Sequence, residues 1–464
     1  MDTLGVGIIY FPGLETILKA GEGLIDVVEI EPATIWYRRS DGLFHVNQNA
    51  LGFFANLPFH KLIHGVGFPV GGTIPPDQHS FKAFREVANK LKPEFVSEHL
   101  SFNKVRLGQA VVDTGFLLPP LQSREGVKQS VSNILLFKQE VNCPFAFETP
   151  ANYLKPIPGE MSDGEFFTEI AVQSDCGILL DLHNLWCNQV NGRQKLMDVI
   201  DSLPLERVWE VHIAGGDWLD GYWLDGHSDL IPEPLKEIAG EIIPRLTNLK
   251  AFNFEIMPEY LQAKQLSVDD ILAELEFMKE IWRVPKKEGL KSHQIQAQAG
   301  SYSNFTPSQW EESLMMSIRG SDEKHPDQVL SSDLGVGIYR KLIEKIRAGM
   351  FASTLTLTFR YILLKIGEEK TMAMVQEFWR KTTPNLFSSE EALKLAEFLR
   401  TQCLDIPYLD EVMNYELANH KAQIENRPQT ITLGFNPDSI FPILGQGKLP
   451  TNIEEGSYQV NITV

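Results

Sequence analysis

Cysteine is scarce. Cys143, Cys176, Cys187 and Cys403 are the only four in 464 residues, widely spaced and without a CxxC pair. That excludes a Cys-rich zinc site and a dense disulfide framework, and it suits a reducing compartment. Positive charge is in deficit too: 42 Lys and Arg stand against 61 Asp and Glu, a net charge of −19. Nucleic acid and anionic membranes both demand a basic surface, so neither is expected as the main partner. No apolar run approaches the roughly 18 residues that a membrane-crossing helix needs. The opening Met1-Asp2-Thr3-Leu4-Gly5 has neither the basic start nor the apolar core of a signal peptide. A cytoplasmic protein is the expectation. There is no internal repeat and no low-complexity tract.

The most informative stretch runs from Gly177 to Asn184, Gly-Ile-Leu-Leu-Asp-Leu-His-Asn. It begins as the continuous apolar run of a strand covered on both faces and ends in groups that bind metals or move protons. Side chains alternate across a strand, so Asp181 and His183 are expected on one side. Taken alone, the pair reads as an Asp–His hydrogen bond capping the next turn. The pattern recurs, however. Eight apolar runs precede residue 260: Leu4–Ile9, Val27–Ile30, Leu62–Phe68, Phe95–Leu100, Phe145–Glu148, Gly177–Leu182, Val208–Ala214 and Ala251–Ile256. Helix-like segments separate most of them, including "SDGEFF", which looks like an N-cap followed by an acid in the first turn. Eightfold strand–helix alternation predicts an α/β fold, a (β/α)8 TIM barrel. The competing doubly wound sheet lacks its GxGxxG after the first strand.

Catalysis in such a barrel sits at the C-terminal ends of the strands. Polar groups collect at or near seven of them, and "WLDGHSD" after the seventh adds Asp225 and His227. The candidate ligands are His64, His99, Glu148, Asp181, His212, Asp225, His227 and Glu255, with His183 as a ninth; Glu148, Asp181 and His212 are the expected catalytic residues. Imidazole and carboxylate without thiolate suit iron, manganese or zinc. A single catalytic zinc uses about three protein ligands, so this surplus predicts two or three ions sharing carboxylates. Glu98 neighbours His99, must point the other way, and reads as a supporting residue. Glu29 and Glu31, at the mouth of the second strand, are expected to position substrate.

These residues lie in segments that resemble the DUF692 group, the multinuclear non-haem iron-dependent oxidative enzymes. The segments are "HGVGFPVGG", "PEFVSEHLSF", "FETPANYL", "ILLDLHNLWCNQVNG", "VHIAGG" followed by "LDGHSD", and "FEIMPEYL", spanning roughly residues 4 to 262. The resemblance implies a barrel holding two or three irons that uses dioxygen to modify a ribosomally made peptide, at cysteine, and it places ligands on the same eight positions. Two departures stand out. Glu148-Thr149-Pro150 replaces the family's Glu-Asn-Pro, and Asp181-Leu182-His183-Asn184 replaces Asp-x-Asn-Asn. The first removes an amide beside the site; the second puts an imidazole on the expected ligand side.

After residue 287 the pattern changes. Residues 288–309 read as a polar linker, and 310–464 as a mainly helical domain with a β-like tail from Thr430, including "TITLGFN", "SIFPILG" and "SYQVNITV". That region resembles the partner proteins of these enzymes and is read as a peptide-recognition module, its β tail offering an edge for an added strand. A stability or dimerisation domain is the alternative. Two other function classes fit the ligand set: a zinc- or manganese-dependent hydrolase or isomerase of the xylose-isomerase-like type, and a non-catalytic metal or peptide carrier.

Overall fold

A computed structural model describes all residues except 40, 77, 287–304, 321–327 and 464. Eight parallel strands close into a barrel: β1 (Gly5–Tyr10), β2 (Val27–Ile30), β3 (His60–Gly65), β4 (Val96–His99), β5 (Phe145–Glu148), β6 (Gly177–Asp181), β7 (Val208–Ala214) and β8 (Ala251–Glu255). Each pairs with its sequence neighbours, and β8 returns to pair with β1. Every predicted run overlaps one strand. The helices between them include Gln78–Leu91, Arg124–Val141 and Asp163–Ser174. In the last, Ser162 and Glu165 form the reciprocal cap that "SDGEFF" predicts.

Period-two alternation sorts the barrel interior into layers. At the base Val27, Leu62, Phe95, Ala146, Leu179 and Ala251 form one apolar cluster with Leu4. Two residues further along these strands stand Glu29, His64, Ser97, Glu148, Asp181 and Asn253, and two further again Glu31, His99 and Glu255. One face of each strand thus changes from apolar to ionisable as it rises. The opposite faces, such as Ile63, Phe147, Leu180, Val211 and Phe252, stay fully buried. Strand register levels the polar groups: His99 pairs with Glu148, Asp181 with His212 and His212 with Asn253.

The chain forms two compact units. The first comprises Met1–Trp36, Val46–Val111 and Leu117–Tyr339; the second comprises Tyr37–His45, Val112–Phe116 and Arg340–Val464. The helix Pro307–Arg319, expected in the C-terminal domain, therefore belongs with the barrel; its Trp310 indole donates to the Pro119 carbonyl at 2.9 Å. Most of the expected 288–309 linker lies outside the described residues. The second unit is mainly helical around a core containing Phe351, Tyr361, Phe378, Leu395, Met413 and Phe435. Its tail pairs Gln429–Phe435 with Glu455–Ile462 as an antiparallel hairpin. "SIFPILG" does not join them. Asn436 caps a short turn, and Pro442 pre-sets the first turn of the helix Phe441–Gly445, so this apolar run is helical. Among the described residues no helix is long and apolar enough to cross a membrane.

The loops above β5 and β6 are tied by a buried ion cluster. Arg193 donates through Nε to Asp163 at 3.0 Å, through Nη2 to Glu160 at 3.1 Å and through Nη1 to the Leu154 carbonyl at 3.1 Å. Removing the guanidinium would leave two acids buried without their partner. Arg193→Met is therefore expected to lower unfolding free energy by about 3–5 kcal/mol, read from urea denaturation; a loss below about 1 kcal/mol would show that the acids find other partners.

Candidate metal centre

At the barrel mouth, imidazole nitrogens and carboxylate oxygens face one another at 2.6–3.0 Å. His99 shows how. Its Nδ1 lies 3.0 Å from the Gly65 carbonyl, which can only accept, so Nδ1 carries a proton and Nε2 is the nitrogen turned inward. That Nε2 sits 3.0 Å from Glu148 Oε2. His64 Nδ1 is spent on Ser97 Oγ at 2.8 Å, and its Nε2 is also 3.0 Å from Glu148 Oε2. This oxygen makes no hydrogen bond although Glu148 is buried. Donors to one ion at about 2.0–2.2 Å stand about 3 Å apart, so His64, His99 and Glu148 have the spacing of a shared cation. They form one of three groups among the described residues whose ligand atoms all fall within 4.8 Å of one another.

A second group, Glu148, Asp181 and His212, adjoins it. His212 Nε2 donates to Glu29 Oε2 at 2.7 Å, which turns Nδ1 toward Glu255 Oε1, 2.6 Å away and again without a hydrogen bond. Asp181 ends β6 and caps the next helix, its Oδ1 accepting the Asn184 N–H at 2.8 Å; Oδ2 is left bare and buried. Asn184 Nδ2 in turn donates to Glu148 Oε1 at 2.9 Å and to the Thr149 carbonyl. At position 149, Thr149 Oγ1 accepts the Asp181 N–H.

On the far side, His227 Nε2 lies 2.9 Å from Asp225 Oδ1 and 2.6 Å from Glu255 Oε2, with no hydrogen bond to either. Glu255 therefore stands between His212 and His227, as Glu148 does between His64 and His99. His227 adopts a left-handed backbone (φ 45°), an uncommon conformation for a residue with a side chain. The Ser228 N–H to the Gly215 carbonyl and the Met257 N–H to the His227 carbonyl, both 2.9 Å, hold it there.

Eight expected ligand positions thus converge: His64, His99, Glu148, Asp181, His212, Asp225, His227 and Glu255. His183 does not join them. The chain turns helical at Leu182, so strand alternation no longer relates it to Asp181; its Nδ1 donates to Asp225 Oδ1 at 3.0 Å, and its Nε2 accepts the Trp223 indole N–H at 3.1 Å. Both ring nitrogens are engaged. Glu29 is not at the mouth either. It is fully buried in the layer of His64, Glu148 and Asp181, where it orients His212 and accepts from Asn253 Nδ2. Glu31 is half-buried above it, and burial raises its carboxyl to about 7 against the pull of His64. Glu98 faces outward, accepting the N–H groups of Phe68 and His99.

Sequence reasoning missed Glu210 and Asn253, which lie beside Glu29 and His212 in the barrel interior. Asn253 Nδ2 donates to Glu210 Oε1 at 2.7 Å, and burial with the nearby Glu29 raises the Glu210 carboxyl to about 8. Their signal was available: Glu210 precedes His212 by two residues, and Asn253 precedes Glu255 by two.

Electrostatics follows from the same crowding. Burial disfavours a charged His99, but Glu148 overrides it and holds the imidazolium pKa well above its ordinary value. Burial would lift Glu148 too, yet His99 and His64 pull it well below the usual carboxylate range. Asp181 goes the other way, pushed well up by burial and by Glu148, Asp225 and Glu255. Protons or cations must settle these contacts.

A model of the RiPP precursor modification enzymes MbnB/TglH/ChrH matches residues 14–281, more than half of the chain. The chain belongs to this family. Its relatives include a UPF0276 protein of Streptomyces avermitilis, 31% identical over 189 residues, which are 40% of this chain and 38% of that protein. A UPF0276 protein of Chromobacterium violaceum is 29% identical over 214 residues, 45% of this chain and 76% of the relative. The match thus spans well under half of the first relative's length. Solved structures with a similar course include a xylose isomerase domain protein from Planctomyces limnophilus (13% identity, TM-score 0.40, 60% of this chain and 97% of that one). Endonuclease IV from Thermus thermophilus is comparable (16%, 0.38, 60% and 100%). At these scores the likeness adds nothing to the fold read from the strand order.

For a family member with this donor set, metal loading should be linked to pH. A histidine whose pKa is raised is protonated below that value, and only the neutral ring binds metal, so loading must expel protons. Ferrous iron or zinc affinity is expected to rise from pH 6 to pH 8, with protons released into weak buffer. Loading indifferent to pH would mean that the metal-free imidazoles are already neutral.

Proposed function

We propose that this chain is an oxidative enzyme that holds two or three irons and modifies a ribosomally made precursor peptide, at cysteine. One observation supports it above the others: four imidazoles whose Nε2 or Nδ1 atoms face carboxylate oxygens at 2.6–3.0 Å in one buried cluster, in a member of a precursor-modifying family. Donors of nitrogen and oxygen type without thiolate accommodate iron, with manganese and zinc as the alternatives. His64, His99 and Glu148 would hold one ion. Asp181, His212, Glu255, Asp225 and His227 would hold the others, with Glu148 and Glu255 between positions.

Iron bound there would supply the redox chemistry with dioxygen and a site for a substrate thiolate. The protein's own residues do the rest. Ser97, the Gly65 carbonyl and Glu29 take the outer protons of His64, His99 and His212, so each ring presents its other nitrogen inward. Asn184 fixes the Glu148 carboxylate through Oε1 and leaves Oε2 to the cluster. Glu148, Asp181 and His212 are assigned the catalytic positions. Glu31, half-buried above Glu29, is assigned to meet the incoming peptide. The helical unit, with its Gln429–Phe435 and Glu455–Ile462 hairpin, is assigned to peptide recognition, and the cytoplasm to the reaction.

A zinc- or manganese-dependent hydrolase or isomerase would use the same ligands but consume no oxygen. Co-expression with candidate Cys-containing peptides, followed by mass spectrometry, is expected to show an oxygen-dependent mass change. Anaerobically purified protein should contain two or three irons, and Glu148→Ala should lose at least one and all turnover. Unchanged metal content in that variant would remove Glu148 from the centre; turnover without oxygen would overturn the oxidative reading.

A further inference from the structure

We infer that His183 anchors the mouth of the centre without binding metal: with Trp223 it clamps the Asp225 carboxylate in the orientation in which it meets a cation beside His227. This rests on reading Asp225 as a ligand. His183 is fully buried on the first turn of the helix Leu182–Val190. The Trp223 indole can only donate, so the 3.1 Å contact fixes a lone pair on His183 Nε2 and the proton on Nδ1. That proton points at Asp225 Oδ1, the same oxygen that lies 2.9 Å from His227 Nε2. The clamp therefore selects which carboxylate oxygen faces the centre and in what direction.

Trp223 is itself held from the other end of the same helix. Asn191, its C-cap, accepts the Trp223 N–H and donates to the Trp223 carbonyl, each at 2.8 Å. The hairpin Asp217–Leu219 and Tyr222–Leu224, which interrupts the chain between His212 and Asp225, is thus pinned to one helix at two points. The Asp225 N–H donates to the Tyr153 hydroxyl at 3.0 Å, so backbone and carboxylate are both fixed. Gly216 makes room: a Cβ there would lie 2.9 Å from His183 Nε2, 2.8 Å from the Trp223 indole nitrogen and 2.1 Å from the Leu224 carbonyl. Asn, the residue expected from the family pattern, is shorter than His and does not carry two opposed ring nitrogens, so this clamp belongs to the His183 form of the site.

The test uses the full-length protein stripped of metal and titrated anaerobically with cobalt(II) alone, read by visible absorption and by bound metal per chain, with circular dichroism as the check on folding. Asp225→Ala is expected to lose one ion and its share of the spectrum. His183→Phe, which keeps a ring and removes both nitrogens, should weaken that same ion about 10–100-fold and leave the others intact. The double variant should be no worse than Asp225→Ala, because both changes act on one interaction. Trp223→Phe should weaken the same ion by a smaller factor, and it decides the matter if His183→Phe fails to fold. If Asp225→Ala loses its ion while His183→Phe or a folded Trp223→Phe keeps wild-type affinity and spectrum, the anchor is refuted. If Asp225→Ala itself keeps every ion, the ligand assignment beneath it is what fails.

Discussion

The structure depends on one electrostatic constraint: imidazole nitrogens and carboxylate oxygens crowded together in a largely buried barrel mouth. Four imidazoles turn a ring nitrogen toward acids, and Glu148 Oε2 and Asp181 Oδ2 make no hydrogen bond. Carrying such groups out of water costs several kcal/mol each unless an opposite charge sits among them. Protons answer the need in part, which is why burial and neighbouring charges drive Asp181 and His99 far from their ordinary ranges. Cations answer it more fully, since one ion can sit among several donors at once.

That constraint explains features with no other purpose in the barrel. Ser97, Glu29, Asn184 and Thr149 each spend their hydrogen-bonding capacity on a group lining the mouth. His227 keeps an uncommon backbone conformation in place, and such strain persists only where surrounding contacts determine it. The apolar layer at the base closes the barrel from below and provides the stability that the polar layers do not. Division of labour between base and mouth is the general property of this architecture.

Much of this was legible in the sequence because the strand period is simple. A continuous apolar run marks a strand covered on both faces, and an ionisable residue two positions beyond an inward apolar one must share its side; Leu62 and His64, Ala146 and Glu148, and Leu179 and Asp181 illustrate it. The rule stopped where the backbone stopped being extended. Asp181 caps a helix, so His183 followed helical geometry and joined Asp225 instead of the metal-facing layer. Depth was the second blind spot. Alternation gives the side of a strand but not the exposure, and Glu29, expected to meet substrate, is fully buried. In the second unit an apolar run around Pro442 looked like a strand and is a helix, because a short apolar run carries no period of its own.

The most direct examination of the central claim is anomalous X-ray scattering at the iron edge from crystals grown and reconstituted without oxygen. The account predicts two or three peaks in the barrel mouth, one shared by His64, His99 and Glu148 and the others bordered by Asp181, His212, Glu255, Asp225 and His227. A mouth without peaks after full reconstitution, its imidazoles and acids paired through protons alone, would contradict it.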